Sequence, residues 1–290
     1  MTVITAPDTG VLVSPRKRGR RRPSLLILLS FLIVLLVVAC ALFGSLLAPF
    51  GANAQNLIVA TQAPSAHHLL GTDDFGRDIL SRIIVGARAA VIGPALIAVG
   101  ALIIGNVLGL VAGYFGGRVD YFIMRLADLV WALPGLLIAI VVVGVIGGGY
   151  YVAVIVLVVL TFPIDARIVR GAVLQQRNMP YVEAAETLGI ARSRIMLRHI
   201  WPNILPLVVA NTFLNFAFSL VALSALSFLG LGVPLNTPDW GGMLSQNLSL
   251  IQGNAMACLA PAIALVLTAV SMNLIGDWSY ERLSDRGRAR

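Results

Sequence analysis

Residues 129–164 read LVWALPGLLIAIVVVGVIGGGYYVAVIVLVVLTFPI, a stretch of 36 residues without a charged side chain. As one α-helix it would be ~54 Å long at ~1.5 Å per residue, against a bilayer hydrocarbon core of about 30 Å. The stretch must therefore fold back on itself. Gly147-Gly148-Gly149 is the natural break, because three successive glycines disfavour helix and permit positive φ. The stretch reads as two membrane spans, the first beginning near Met124 with Arg125 and Asp128 at its edge, the second ended by Asp165 and Arg167.

Working outward, the same criterion finds four more spans. Leu25 to Leu47 is uncharged for 23 residues, ~34 Å of helix. A second uncharged run covers Ala89 to Gly117, a fifth span Leu205 to Leu229 and a sixth Leu259 to Ile275. The rival for the first run is a secretory signal, since arginines precede it and Ala52-Asn53-Ala54 resembles a small-residue cleavage site. The run exceeds the usual apolar region of about 7–15 residues, which favours an uncleaved span; cleavage after Ala54 is decided by the mature N-terminus. The expected fold class is all-α, a polytopic bundle of six transmembrane helices.

Composition agrees. Of 290 residues, 58% are hydrophobic and 12% charged, and the mean hydropathy is +0.91; an ordinary soluble domain carries about 25% charged residues. The net charge of +8 does not indicate nucleic acid, because the basic residues cluster between apolar runs without aromatics to stack on bases. Cys40 and Cys258 lie in apolar stretches in no paired pattern, so neither a disulfide framework nor a metal site is indicated.

The basic residues set the orientation. Of 21 arginines and lysines, 18 fall in the N-terminal tail, the connections at Arg118 to Arg125 and Arg167 to Arg198, and the C-terminus. The other three, Arg77, Arg82 and Arg88, fall in the loop after the first span. That loop is placed outside and both termini in the cytoplasm. The chain divides into a basic, disordered cytoplasmic tail (1–24), a first span with its extracytoplasmic loop (25–88), a core transmembrane domain (89–280) and a cytoplasmic C-terminal tail (281–290). Within the core, residues from about 170 to 203 form a cytoplasmic connection. Between the last two spans, Met243, Leu244, Leu248 and Ile251 recur at helical spacing, as expected of a short helix at the outer interface.

The cytoplasmic connection carries the most informative motif, Asn178-Met179-Pro180-Tyr181-Val182-Glu183-Ala184-Ala185-Glu186-Thr187-Leu188-Gly189. Pro180 suits a first helical turn, Asn178 can cap it, and Gly189 can take the left-handed conformation that stops it. A second helix over Ile190 to Asn203 would end at Pro202. Ala184 and Ala185 leave a slim face able to enter a cleft on another protein, with Glu183 offering a charge to an arginine there. On pattern alone the segment reads equally as an amphipathic hairpin on the membrane surface.

The spacing Glu183-Ala184-Ala185, three residues, Gly189, then Ile200 and Pro202 resembles the EAA loop of ABC-importer permeases, through which the membrane subunit docks on its ATPase. Trp201 departs from the aliphatic residue usual there but keeps a bulky apolar side chain. Gly71-Thr72-Asp73-Asp74-Phe75-Gly76-Arg77-Asp78 is similar to the signature segment of the second membrane subunit of dipeptide, oligopeptide and nickel importers, a resemblance that runs from about Leu25 to the C-terminus. It implies the type I ABC-importer permease fold, a heterodimer with a homologous permease, an extracytoplasmic substrate-binding protein and two ATPase domains. No cofactor is then expected on this chain; ATP and Mg belong to the ATPase subunits. It also implies a coupling loop of Tyr181, Glu183, Ala184, Ala185, Gly189 and Pro202, and a signature loop of Gly71, Thr72, Asp73, Gly76, Arg77 and Asp78. Peptides are the implied solute, with nickel or another small solute as the alternative.

Other residues have plainer readings. Asp73, Asp74 and Asp78 fit a hydrated loop with helix-capping aspartates, and adjacent His67 and His68 without a third ligand fit a solvated loop better than a metal site. Asn106, Asn211 and Asn215 sit inside apolar spans, where an amide most often bonds another helix. The P-loop, HExxH and GxSxG signatures are absent, so an enzyme has little support. A stand-alone secondary transporter or channel, driven by an ion gradient without ATP, is the competing class, and a membrane enzyme the third.

Overall fold

The computed structural model describes residues 24–234 and 236–288; the N-terminal tail lies outside them except for Ser24. Among the described residues, five helices are individually long and apolar enough to cross a membrane, and six crossings result if one bent helix pair counts as a single span. The elements are α1 (Leu25–Leu47), α2 (Ile79–Phe115), α3 (Gly117–Trp131), α4 (Gly135–Ile146), α5 (Tyr150–Arg177), α6 (Pro180–Thr187), α7 (Arg192–Arg194), α8 (Trp201–Phe228), α9 (Trp240–Gln246) and α10 (Met256–Arg288).

The break at Gly147-Gly148-Gly149 is where the composition put it, with φ of 105°, 76° and 111°. The span before it is not one straight helix. It is the pair α3 and α4, bent by 77°, and Met124 lies in the middle of α3 rather than at a start. Pro134 accounts for the break: it supplies no N–H and disfavours helical backbone in the residue before it. α2 begins at Ile79, ten residues before the first uncharged position, because Asp78 caps it through Ser81 N and Arg82 is buried. Asp165 does not end its span either; it lies buried inside α5.

Helix α2 is the spine of the bundle, packed along α5 and then on α8, with α10 against α8 and α1 across α2 and α10. Its contact with α5 is made by Gly105, Gly109 and Gly113. A Cβ at Gly105 would stand 2.3 Å from Asp165 Cβ, one at Gly109 2.7 Å from Ala166 O, and one at Gly113 2.8 Å from Val173 Cβ. Small residues four apart let two membrane helices touch backbone to backbone. α1, by contrast, exposes most of its leucines and buries only Ser30 and Gly44.

The second helix after the Glu-Ala-Ala motif does not stop at Pro202. α7, a π-helical stretch Ile195–Ile200 and α8 run on as one helix from Arg192 to Phe228. Pro202 stands in the first turn of α8, and His199 O takes the Asn203 side-chain amide at 2.7 Å. Just before Pro202, Trp201 N donates five residues back to Met196 O, the wide spacing of a π turn. Residues 281–288 likewise continue α10 instead of forming a separate tail.

Candidate functional site

Two sites stand at opposite ends of α2. At its C-terminal end is α6, the helix of the Glu-Ala-Ala motif. Pro180 occupies its first turn, but Met179 precedes it as N-cap while Asn178 closes α5, so the capping role expected of Asn178 is not taken up. Gly189 ends the segment at φ +71° with nothing within 4 Å of a would-be Cβ, so its requirement is for backbone conformation and not for space.

The two faces of α6 differ. Val182 and Ala185 are 1% and 4% exposed and join Leu110 and Tyr114 of α2, Val173 of α5, and Ile195, Ile200 and Ile204 of the helix leading into α8 in one apolar cluster. Glu183, Ala184, Thr187 and Leu188 face outward. Tyr181 OH donates to Gln176 Oε1 at 2.8 Å and accepts from Asn203 Nδ2 at 3.2 Å, tying α6 to both flanking helices. Tyr114, Phe115, Arg177, Glu186, Ile190 and Arg192 line a cleft beside it. Of the six motif residues, the structure gathers five within α6 and its end; Pro202 stays outside, in the first turn of α8.

At the other end of α2 is the Gly-Thr-Asp segment, which forms a buried knot instead of the hydrated loop expected. Asp73 is 1% exposed; its Oδ1 accepts from Arg77 N at 2.9 Å and its Oδ2 from Arg77 Nε at 2.6 Å, with Arg82 Nε 3.9 Å away. Both guanidinium groups also donate to Gln246 Oε1 of α9, at 3.2 and 3.3 Å. Asp78 caps α2, as expected, but is itself buried and bonded to His68 Nδ1 at 2.9 Å. His68 therefore belongs to the knot, stacked near Phe50, while His67 and Asp74 are exposed.

Gly71 and Gly76 have no room for a side chain, a Cβ falling 2.3 Å from Asn254 Nδ2 and 1.8 Å from Asn56 O respectively. Thr72 Oγ1 donates to Val59 O, and Thr72 backbone bridges to Asp78. Asn254, ahead of α10, donates to Gln62 O and Leu70 O at 3.2 and 3.1 Å. The residues of this segment thus fasten the loop after α1 to α9 and to the start of α10.

Residues 240–252 do form the short helical element expected between the last spans, interrupted at Asn247. Its buried apolar side chains are Trp240, Met243 and Leu250; Leu248 and Ile251 are exposed. Asp239 caps it through Gly242 N at 2.9 Å, and burial pushes its carboxyl above the usual range against the pull of that bond. Asp239 was not singled out by sequence, although an aspartate before Trp-Gly-Gly is a recognisable cap. Among the described residues, no group of three or more His, Cys, Asp or Glu is arranged to hold a metal ion.

Comparisons with known proteins agree along the chain. Residues 105–288 match the family described as "Binding-protein-dependent transport system inner membrane component". The chain is 35% identical over 281 residues to a dipeptide transport system permease protein of Alkalihalophilus pseudofirmus, covering 96% of this chain and 92% of that one. It is 35% identical to an oligopeptide transport system permease protein of Bacillus subtilis, covering 93% and 88%, and 36% identical to a glutathione transport system permease protein of Pectobacterium atrosepticum, covering 88% and 85%. Among solved structures, a chain of the MetNI methionine ABC transporter in an inward-facing conformation superposes with a TM-score of 0.60 at 17% identity, covering 71% of this chain and 97% of that one, a likeness of fold.

Proposed function

The chain belongs to the binding-protein-dependent transport system inner membrane component family, and we propose that it forms half of a path for dipeptides or oligopeptides. It is a multi-pass permease subunit of an ABC importer and not an enzyme. The peptide assignment is supported by relatives named for dipeptide, oligopeptide and glutathione transport.

The observation that carries the mechanism is the two-faced α6. One face is sealed into the cluster shared by α2, α5 and α8, and the other presents Glu183 and Ala184 outward. A helix held this way moves only with the bundle ends to which it is bonded. Docked in a cleft of an ATPase subunit, it would transmit that subunit's motion to the membrane helices. The coupling residues in this reading are Tyr181, Glu183, Ala184, Ala185 and Gly189, with Pro202 setting the start of α8. ATP and Mg act on two ATPase domains in other subunits, and ATP drives the switch by binding their closed arrangement better than the open one.

In this reading the α6 end faces the cytoplasm together with both termini, which is supported by the 18 of 21 basic residues assigned to that side. The Asp73 knot then faces outward, where a substrate-binding protein delivers solute. A homologous permease completes the path, since sites in such transporters lie between related halves.

Mass spectrometry of what co-purifies with a tagged copy, extracted gently from its native membrane, tests the assembly. A second permease and P-loop ATPases are expected. A clean homo-oligomer from an intact preparation would favour a secondary transporter. Uptake of labelled dipeptide by the reassembled system, with nickel as competitor, tests the solute.

A further inference from the structure

We propose that Asp165 anchors a buried site for one positive charge, a proton or an alkali cation, where α2, α5 and α8 meet. The site is independent of the coupling helix and of the outer knot, and does not depend on the identity of the transported solute.

Asp165 is 2% exposed. Its Oδ1 accepts from two side-chain amides of α8, Asn215 at 2.6 Å and Asn211 one turn earlier. Its Oδ2 is also buried and, among the described residues, has no hydrogen-bond partner. On α2, Asp165 packs against the bare backbone of Gly105. The next residue, Asn106, is 8% exposed; it spends its amide N–H on Leu102 O at 2.8 Å and leaves its own Oδ1 buried and unpartnered.

The atoms left over are thus acceptors. An ionised carboxylate has only acceptor oxygens, and the amides facing it have already spent donors on Oδ1. An ionised aspartate inside a membrane helix is costly, and membrane carboxylates are accordingly paired or neutralised. Among the described residues, no protein cation does this. α2 has no charged residue between Arg88 and Arg118, and α8 no titratable one between His199 and Asp239. On α5 itself, Arg167 is paired with Asp128 at 2.7 Å and Arg170 with Asp120, both of α3. On α10, which packs against α8, the first charged residue is Asp277, beyond the apolar span. The positive charge therefore comes from solution, onto Oδ2.

The test is the thermal unfolding of the intact importer complex in nanodiscs, in choline, sodium and potassium chloride and over a range of pH. An alkali ion raises the melting temperature in sodium or potassium over choline, by roughly 2–4 °C per kcal/mol, and the difference vanishes in Asp165→Asn. A proton gives equal values in the three salts and a melting temperature that falls as pH rises. It also gives an infrared carbonyl band of a protonated carboxyl that Asp165→Asn removes. If Asp165→Asn does not assemble, Asp165→Glu and retention of radiolabelled sodium by the unaltered complex decide the same question. A complex indifferent to both salt and pH, or equally responsive in the variant, overturns the proposal and leaves a buried water as the completing group.

Discussion

The hydroxyl of Tyr114 donates to Glu186 Oε1 at 2.9 Å, joining the last turn of α2 to the exposed side of α6. Tyr114 is itself buried, 4% exposed. The other end of α2 is capped by Asp78 in the Asp73 knot. One helix of 37 residues, ~55 Å long, therefore touches both sites, and it is the rigid element through which they would feel each other.

Tyr114→Phe removes that bond and keeps the ring. Because Glu186 is exposed and can turn to water, the cost in stability should stay below about 1 kcal/mol. Coupling should suffer more, with solute-stimulated ATP hydrolysis by the complete complex falling about 2- to 10-fold, the range one bond of this kind controls. Glu186→Gln, which keeps an acceptor, should retain most of it. Unchanged stimulation in Tyr114→Phe would show that α2 and α6 are coupled by the apolar cluster alone.

Gly189→Val tests the motif's turn. The backbone there is left-handed, at φ +71°, which costs an L-residue about 1–2 kcal/mol and a β-branched one more. Nothing crowds the site, so the protein should still insert while α6 is displaced from its docking position. Uptake and ATPase coupling should both be abolished, with Gly189→Asn much milder because asparagine tolerates that conformation. Normal uptake in Gly189→Val would remove the coupling role from this loop.

What the sequence made legible was whatever depends on local chemistry: the glycine break at 147–149, Pro180 opening α6 and the positive φ at Gly189. What it hid depends on partners far along the chain. Asp73 reads as a polar loop residue until Gln246 and Arg82 close over it, and Asp165 reads as a span boundary until Asn211 and Asn215 supply donors from α8. Pro202 misleads for a related reason, since a π turn and the Asn203 side chain let the helix continue through it. The Gly-x-x-x-Gly repeat at 105, 109 and 113 went unread, because what it packs against shows only once α5 lies along it.

That repeat yields a packing prediction. Gly109→Leu would put a side chain where Ala166 O and Val169 already stand, with a bare Cβ already only 2.7 Å from each. Overpacking of this kind costs typically about 1–3 kcal/mol, and at a backbone-to-backbone contact it should separate α2 from α5. The expected result is loss of the folded subunit in detergent, read by size-exclusion chromatography, whereas Gly171→Leu on α5, with nothing within 4 Å, should behave as wild type. A Gly109→Leu protein as stable as wild type would mean that α2 and α5 do not touch this closely in the membrane.

The Asp73 knot can be separated from a solute site by comparing two neighbouring aspartates. Asp73→Asn leaves Arg77 and Arg82, 4% and 1% exposed, without the carboxylate between them. Removing one partner of a buried ionic group costs about 3–5 kcal/mol, so the loop should detach from α9 and become open to protease. Asp74→Asn alters an exposed side chain whose bond to Ser249 Oγ is 3.3 Å and should change stability by no more than about 0.5 kcal/mol. If Asp73 served the solute instead, Asp73→Asn would raise the KM of uptake while the loop stayed protected. Protease resistance and KM measured on the same preparation therefore decide between a fastening and a binding role.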